Sequence, residues 1–173
     1  MWAGVIGLMG AGVTFSVLTE GGMSQLSGDP VNLYGAELAP GPGHALATVQ
    51  GALFFEHVAL AEEAAFRGLL QSGMVRATNS ETGGWVVSSL IFGGIHAANV
   101  LVMPEEDRLD YLVFAVPYVT LVGSYLGLVY RWSDYSLAPP VALHFWYDLL
   151  IVGLDALIVP DDNFYSVSYG VSF

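Results

Sequence analysis

The sequence predicts an all-α fold, a polytopic transmembrane bundle of about five membrane-length helices forming one integral membrane domain over residues 1–173. Three observations predict it. Of the 173 residues 54% are hydrophobic and 12% charged, and mean hydropathy is +0.59, whereas a soluble domain carries roughly a quarter charged residues. The apolar residues also fall in long runs, and a helix crosses the hydrocarbon core with about 20 of them. Finally, the runs lack the period-two alternation of a barrel, so backbone groups in lipid must be satisfied inside helices.

The expected spans are, in order, about 1–18, 46–66, 85–103, 111–130 and 137–159. The first is uncharged and lacks a basic leader and a small-residue cleavage site, which reads as a retained span rather than a signal peptide. Residues 21–44, with Gly21-Gly22, Asp29-Pro30 and Pro40-Gly41-Pro42, read as an extramembrane loop. Pro139 and Pro140 fall near the start of the last span, where missing amide donors are tolerated. Trp85, Trp132 and the tyrosine-rich tail suit aromatic belts at the membrane boundary. Arg76 and Arg131 fall in loops on one side and Arg108 on the other, so the positive-inside rule, on a difference of one residue, places the loops after the second and fourth spans in the cytoplasm.

Composition also excludes chemistries. Without cysteine there is no disulfide framework, thiolate ligand or thiol nucleophile. A net charge of -12, with four arginines and no lysine, argues against nucleic acid as a partner. Most acids lie between the apolar runs, as at Glu105, Glu106, Asp107 and Asp110. Adaptation to high salt is one account of this acidity and simple loop polarity another; activity in low and molar salt distinguishes them.

Some ionisable residues fall where lipid penalises them, and such residues mark functional sites. The second expected span, or its end, holds Glu56, His57, Glu62, Glu63 and Arg67, the third His96, and the fifth His144, Asp148 and Asp155. Singly, each suits an interface residue or a helix-to-helix hydrogen bond equally well. Successive helical residues turn by about 100°, so Glu56, Glu63 and Arg67 share a stripe and Glu62 points away from it. Glu63 and Arg67 have i,i+4 spacing for an ion pair. Glu62 is left to face a cavity as a general base. His144 and Asp148 share a face one turn apart, with Asp155 further along it. Phe92 and Asn99 flank His96 by about one turn; Phe92 suits packing under the imidazole and, taken alone, suits an ordinary core position better. His44 reads as solvent-exposed, and Glu56 and His57 suit either a cavity lining or buried packing.

Glu62-Glu63-Ala64-Ala65-Phe66-Arg67 matches EExxxR, Phe92-Gly93-Gly94-Ile95-His96 matches FxxxH, and His144-Phe145-Trp146-Tyr147-Asp148 takes the place of HxxxN or HxxxD. In this order, each on its own span, the motifs resemble those of the CaaX-protease and bacteriocin-processing (CPBP, or Abi) family, which includes the type II CaaX prenyl endopeptidases. The resemblance covers a catalytic core of roughly residues 50–155. It implies a glutamate-based, metal-independent intramembrane endopeptidase with no cofactor, acting on a peptide or protein substrate, with a lipidated terminus as one form, and in contact with membrane lipid. By that resemblance Glu62 and His96 activate water, His144 and Asp148 form the oxyanion site, and Glu63, Arg67 and Phe92 support them. It also implies a prokaryotic cell membrane as the location.

Two departures matter: the expected spans are fewer than in many family members, and Asp148 stands where the best-understood prenyl endopeptidases have asparagine, while an ionised aspartate has no proton to donate. Other readings are a zinc peptidase with Glu62, His96 and His144 as ligands, although no HExxH occurs, and a non-catalytic immunity or assembly protein of the same fold. A proton or ion pathway ranks last, since no inverted repeat is evident.

Overall fold

The computed structural model describes residues 31–33 and 36–158, and the side chains of residues 36–151 apart from 40, 44 and 47. The first expected span, the tyrosine-rich tail and the side chains of His44 and Asp155 lie outside the described residues. Two compact units divide the chain, one spanning Ala59–His144 and the other taking in the residues that flank it.

In the flanking unit, β1 (Val31–Leu33) and β2 (Ala36–Leu38) pair as a short antiparallel hairpin, Asn32 opposite Glu37. Part of the expected loop is therefore a hairpin, and helix α1 (Pro40–Glu63) begins several residues before the predicted span. Prolines at 40 and 42 are accommodated because the first helical amides need no partner inside the helix. Glu56 and His57 are exposed, and the His57 ring donates from Nδ1 to the Leu53 carbonyl at 2.6 Å.

The central unit begins where α1 enters it at Ala59. The helix continues through a wide π-helical stretch, Ala64–Gln71, into α2 (Ser72–Thr78). Such wide turns are rare and recur at functional sites. A tight reversal follows: Asn79 adopts the left-handed conformation that closes helices, and the Ser80 hydroxyl accepts the Gly83 amide at 3.0 Å to start the next one. Helix α3 (Glu81–His96) runs back and tightens into a 3-10 turn, Ala97–Leu101. After an acidic loop, α4 (Arg108–Asp110), a second π-helical stretch (Tyr111–Ala115) and α5 (Val116–Trp132) form one continuous helix. Pro117 explains the wide turns before it: with no amide to donate and a ring that crowds the carbonyl four residues back, at Val113, it disfavours a regular turn there. Helix α6 (Ala138–Ile158) leaves the central unit at His144.

Two of these helical stretches, Glu81–Leu101 and Arg108–Trp132, are long and apolar enough to cross a membrane. The fold is all-α apart from the hairpin, with two such stretches among the described residues against about five expected. The helix from Pro40 is not one of those two.

Side-chain bonds give the directions of the helices. Arg67 reaches the Gly123 carbonyl and Gln71 the Gly127 carbonyl, a four-residue step on both sides, so this helix runs parallel to α5. Trp85 donates to the Ser124 carbonyl at 2.9 Å and Phe92 lies against Gly123, so α3 runs antiparallel between them. Trp85 is thus a half-buried bundle residue rather than the expected belt residue, while Trp132 is exposed at a helix end. Arg131 pairs with Glu81 at 3.0 Å, which puts the start of α3 and the end of α5 at one end of the unit, beside the turn after Arg76. His96 ends α3 about 22 Å from there, at 1.5 Å of rise per residue.

Candidate active site

The site is built on a buried ion pair. Glu63 and Arg67, fully and almost fully buried, sit one turn apart, with Arg67 Nε 3.0 Å from Glu63 Oε2, off the line of a good hydrogen bond. A charge in lipid is tolerated when it is paired and its donors are occupied. Arg67 Nη2 donates to the Gly123 carbonyl at 2.6 Å, and its guanidinium lies over the Phe92 ring, 4.6 Å from the centroid. Its Nη1 is buried with no hydrogen-bond partner among the described residues.

Phe92 is the hub. Its ring is 4.9 Å from that of Phe66 and 4.7 Å from His96, and it meets the His144 ring edge-on at 6.2 Å. The expected packing of Phe92 against His96 is present. Asn99, by contrast, turns to Tyr111, donating to its hydroxyl at 2.8 Å.

Both histidines have one nitrogen tied down. His96 Nδ1 lies 2.8 Å from the Phe92 carbonyl, which only accepts, so Nδ1 carries the proton and the neutral ring keeps its lone pair at Nε2. His144 Nδ1 lies 2.8 Å from Glu63 Oε1, so the carboxylate holds the Nδ1 proton and turns Nε2 toward Glu62, whose Oε2 is 3.8 Å away. That separation is too long for a direct hydrogen bond but short enough for strong attraction between charges. The two glutamates differ as the helix geometry predicts: Glu63 has no exposure and the Glu62 side chain 29%.

The central unit therefore brings together Glu62, Glu63, Arg67, Phe92, His96 and His144, from three separate stretches of sequence. Asp148 lies one helical turn past His144 along α6, in the flanking unit. Among the described residues, no three His, Asp or Glu side chains converge as a set of metal ligands does. Chemically, the cluster offers a part-exposed carboxylate, a part-exposed imidazole with a basic Nε2, and a buried imidazole held by a second carboxylate. Those are the groups needed to activate water and to steady a developing negative charge.

Sequence reasoning predicted α5 as a span but missed its part in the site. Gly123 and Gly127 accept from Arg67 and Gln71, and the absence of side chains on them lets Phe92 and Trp85 pack closely. Their four-residue spacing, that of close helix packing in membranes, was the available signal. Gln71, fully buried beside Gly127, was likewise passed over.

Comparison with known proteins places the chain in a family. No curated protein and no solved structure matches the chain. A family model described as "Type II CAAX prenyl endopeptidase Rce1-like" matches residues 44–150, more than half of the chain and all three motifs. With a match of that extent and two helical stretches fit to cross a bilayer, the chain is a membrane protein that belongs to the Rce1-like type II CAAX prenyl endopeptidase family, a family of membrane proteases.

Proposed function

We propose that this protein is a metal-independent intramembrane endopeptidase in which Glu62 and His96 activate water for attack on a peptide carbonyl, and His144 with Asp148 stabilises the oxyanion. The observation that carries the proposal is the meeting of His144 with both glutamates, Nδ1 at 2.8 Å from Glu63 and Nε2 at 3.8 Å from Glu62. A histidine anchored in this way presents one nitrogen to the side where the part-exposed carboxylate lies.

In the proposed reaction Glu62 takes a proton from water as its oxygen adds to the carbonyl carbon, and His96 Nε2 accepts a hydrogen bond that orients the same water. His144 stabilises the oxyanion when both its nitrogens carry protons, Nδ1–H held by Glu63 and Nε2–H given to the developing charge. Glu62 then returns its proton to the leaving amine, the carbonyl re-forms and the C–N bond breaks. The substrate is a peptide or protein entering beside the membrane, a lipidated terminus being one form, and a prokaryotic cell membrane is the proposed location.

The decisive experiment is cleavage of a quenched prenylated-peptide library by detergent-purified protein. Glu62→Gln should lower kcat by about 100- to 10,000-fold at matched folding, the usual worth of a general base. Equal cleavage by wild type and variant would sink the mechanism, and loss of cleavage on adding a strong chelator would move it to a metal peptidase. Asp148→Asn should retain activity, since an amide donates to an oxyanion without having to be protonated. A well-folded but inactive Asn variant would remove Asp148 from the oxyanion role.

A further inference from the structure

No family motif includes Gly123, yet its two free features both act on the cluster. Its carbonyl accepts Arg67 Nη2 at 2.6 Å. A Cβ there would lie 2.9 Å from Cε1 and 3.0 Å from Cγ of the Phe92 ring, and closer still to Cδ1. That ring cannot retreat: it is 2% exposed and hemmed in by Arg67, Phe66, His96 and His144. One added methyl must therefore displace the ring by about 1 Å to restore ordinary contact, in an interior packed like a crystal.

We infer that Gly123 is a positioning residue for the reaction proposed above, acting through Phe92 to set where His96 and His144 stand. The inference rests on that mechanism for its kinetic consequence and on packing alone for its structural one. Misplacement of reacting groups by about 1 Å costs on the order of 100-fold in rate.

Gly127 supplies the control. One turn along the same helix, its missing Cβ would lie 2.9 Å from Gln71 Oε1 and 3.0 Å from Trp85 Cδ1, a less severe crowding and one against an amide and an indole rather than the Phe92 ring. Both features are general packing if Gly123 matters only for helix association; they separate if Gly123 sets the imidazoles.

The test compares Gly123→Ala with Gly127→Ala in the full-length, detergent-purified protein, measuring kcat and KM per folded molecule and the nitrogen NMR signals of the labelled histidines. Gly123→Ala should lower kcat about 100-fold with KM within threefold of wild type and shift the His96 and His144 signals, leaving that of His57 in place. Gly127→Ala should lower thermal stability yet keep kcat within threefold and the histidine signals unmoved. Equal loss of kcat in the two variants, or unshifted His96 and His144 signals in Gly123→Ala, overturns the inference. If Gly123→Ala does not fold, Phe92→Leu makes room for the methyl: Phe92→Leu/Gly123→Ala should match Phe92→Leu alone within threefold, and a larger further drop in kcat overturns action through Phe92. A wild type inactive on prenylated peptides would mean a different substrate class or a non-catalytic relative, and the NMR comparison would then decide this inference on its own.

Discussion

The helix that carries Glu62 to Gln71 and the helix α5 that faces it solve opposite problems. The first buries a carboxylate, a guanidinium and an amide; α5 buries Val122, Gly123, Leu126, Gly127 and Val129 on its matching face and contributes none of the motif residues. Yet the first is stable only because the second is plain. A helix carbonyl has a second lone pair, and glycine leaves it reachable, so Gly123 and Gly127 can accept from Arg67 and Gln71. Of these two helices, one carries the buried polar groups and the other the tolerance for them.

That contrast breaks hardest at the ion pair. Arg67→Met strands Glu63 as a buried, uncompensated charge and should cost about 3–5 kcal/mol, enough to prevent folding, while Glu63→Gln/Arg67→Met should recover most of it. Thermal unfolding in detergent checks both, and a double variant no more stable than Arg67→Met would mean that the pair is not what limits this helix.

A smaller effect sharpens the division between the two glutamates. Glu63→Gln replaces a charge-assisted bond to His144 by a neutral one, a difference of about 1.4 kcal/mol, so kcat per folded molecule should fall about tenfold, far less than for Glu62→Gln. A loss as large as that of Glu62→Gln would show Glu63 taking part in the proton transfer itself.

The smallest effect is expected at the end of the unit. The Arg131–Glu81 pair is part-exposed, and Glu81→Gln should cost no more than about 1 kcal/mol, less in high salt. A larger, salt-insensitive loss would mean that this end, rather than the buried pair, holds α3 to α5.

Much of the cluster was legible in the chain because it obeys helical periodicity. The i,i+4 rule pairs Glu63 with Arg67 and sends Glu62 to a different environment, and the structure has both, one glutamate fully buried and the other part-exposed. Phe92 under His96 follows from the same rule. What periodicity could not reach was any contact between helices. The bond from Glu63 to His144 joins positions 81 residues apart, and no local rule sends the more buried glutamate to that imidazole as well as to Arg67. Trp85 was misplaced for a similar reason: an indole near the end of an apolar run suits a boundary belt, and only the position of Ser124 decides that it points inward.

The sequence by itself determined that the chain is helical and membrane-bound, which family it joins and which side chains the proposed chemistry draws on, because apolar run length, helical phase and motif order are local properties of a chain. The tertiary structure alone decided that Glu63 holds Nδ1 of His144, and that two glycines on a motif-free helix receive Arg67 and Gln71 and seat Phe92. Those outcomes depend on how close two backbones come, and that distance is set by the side chains absent between them.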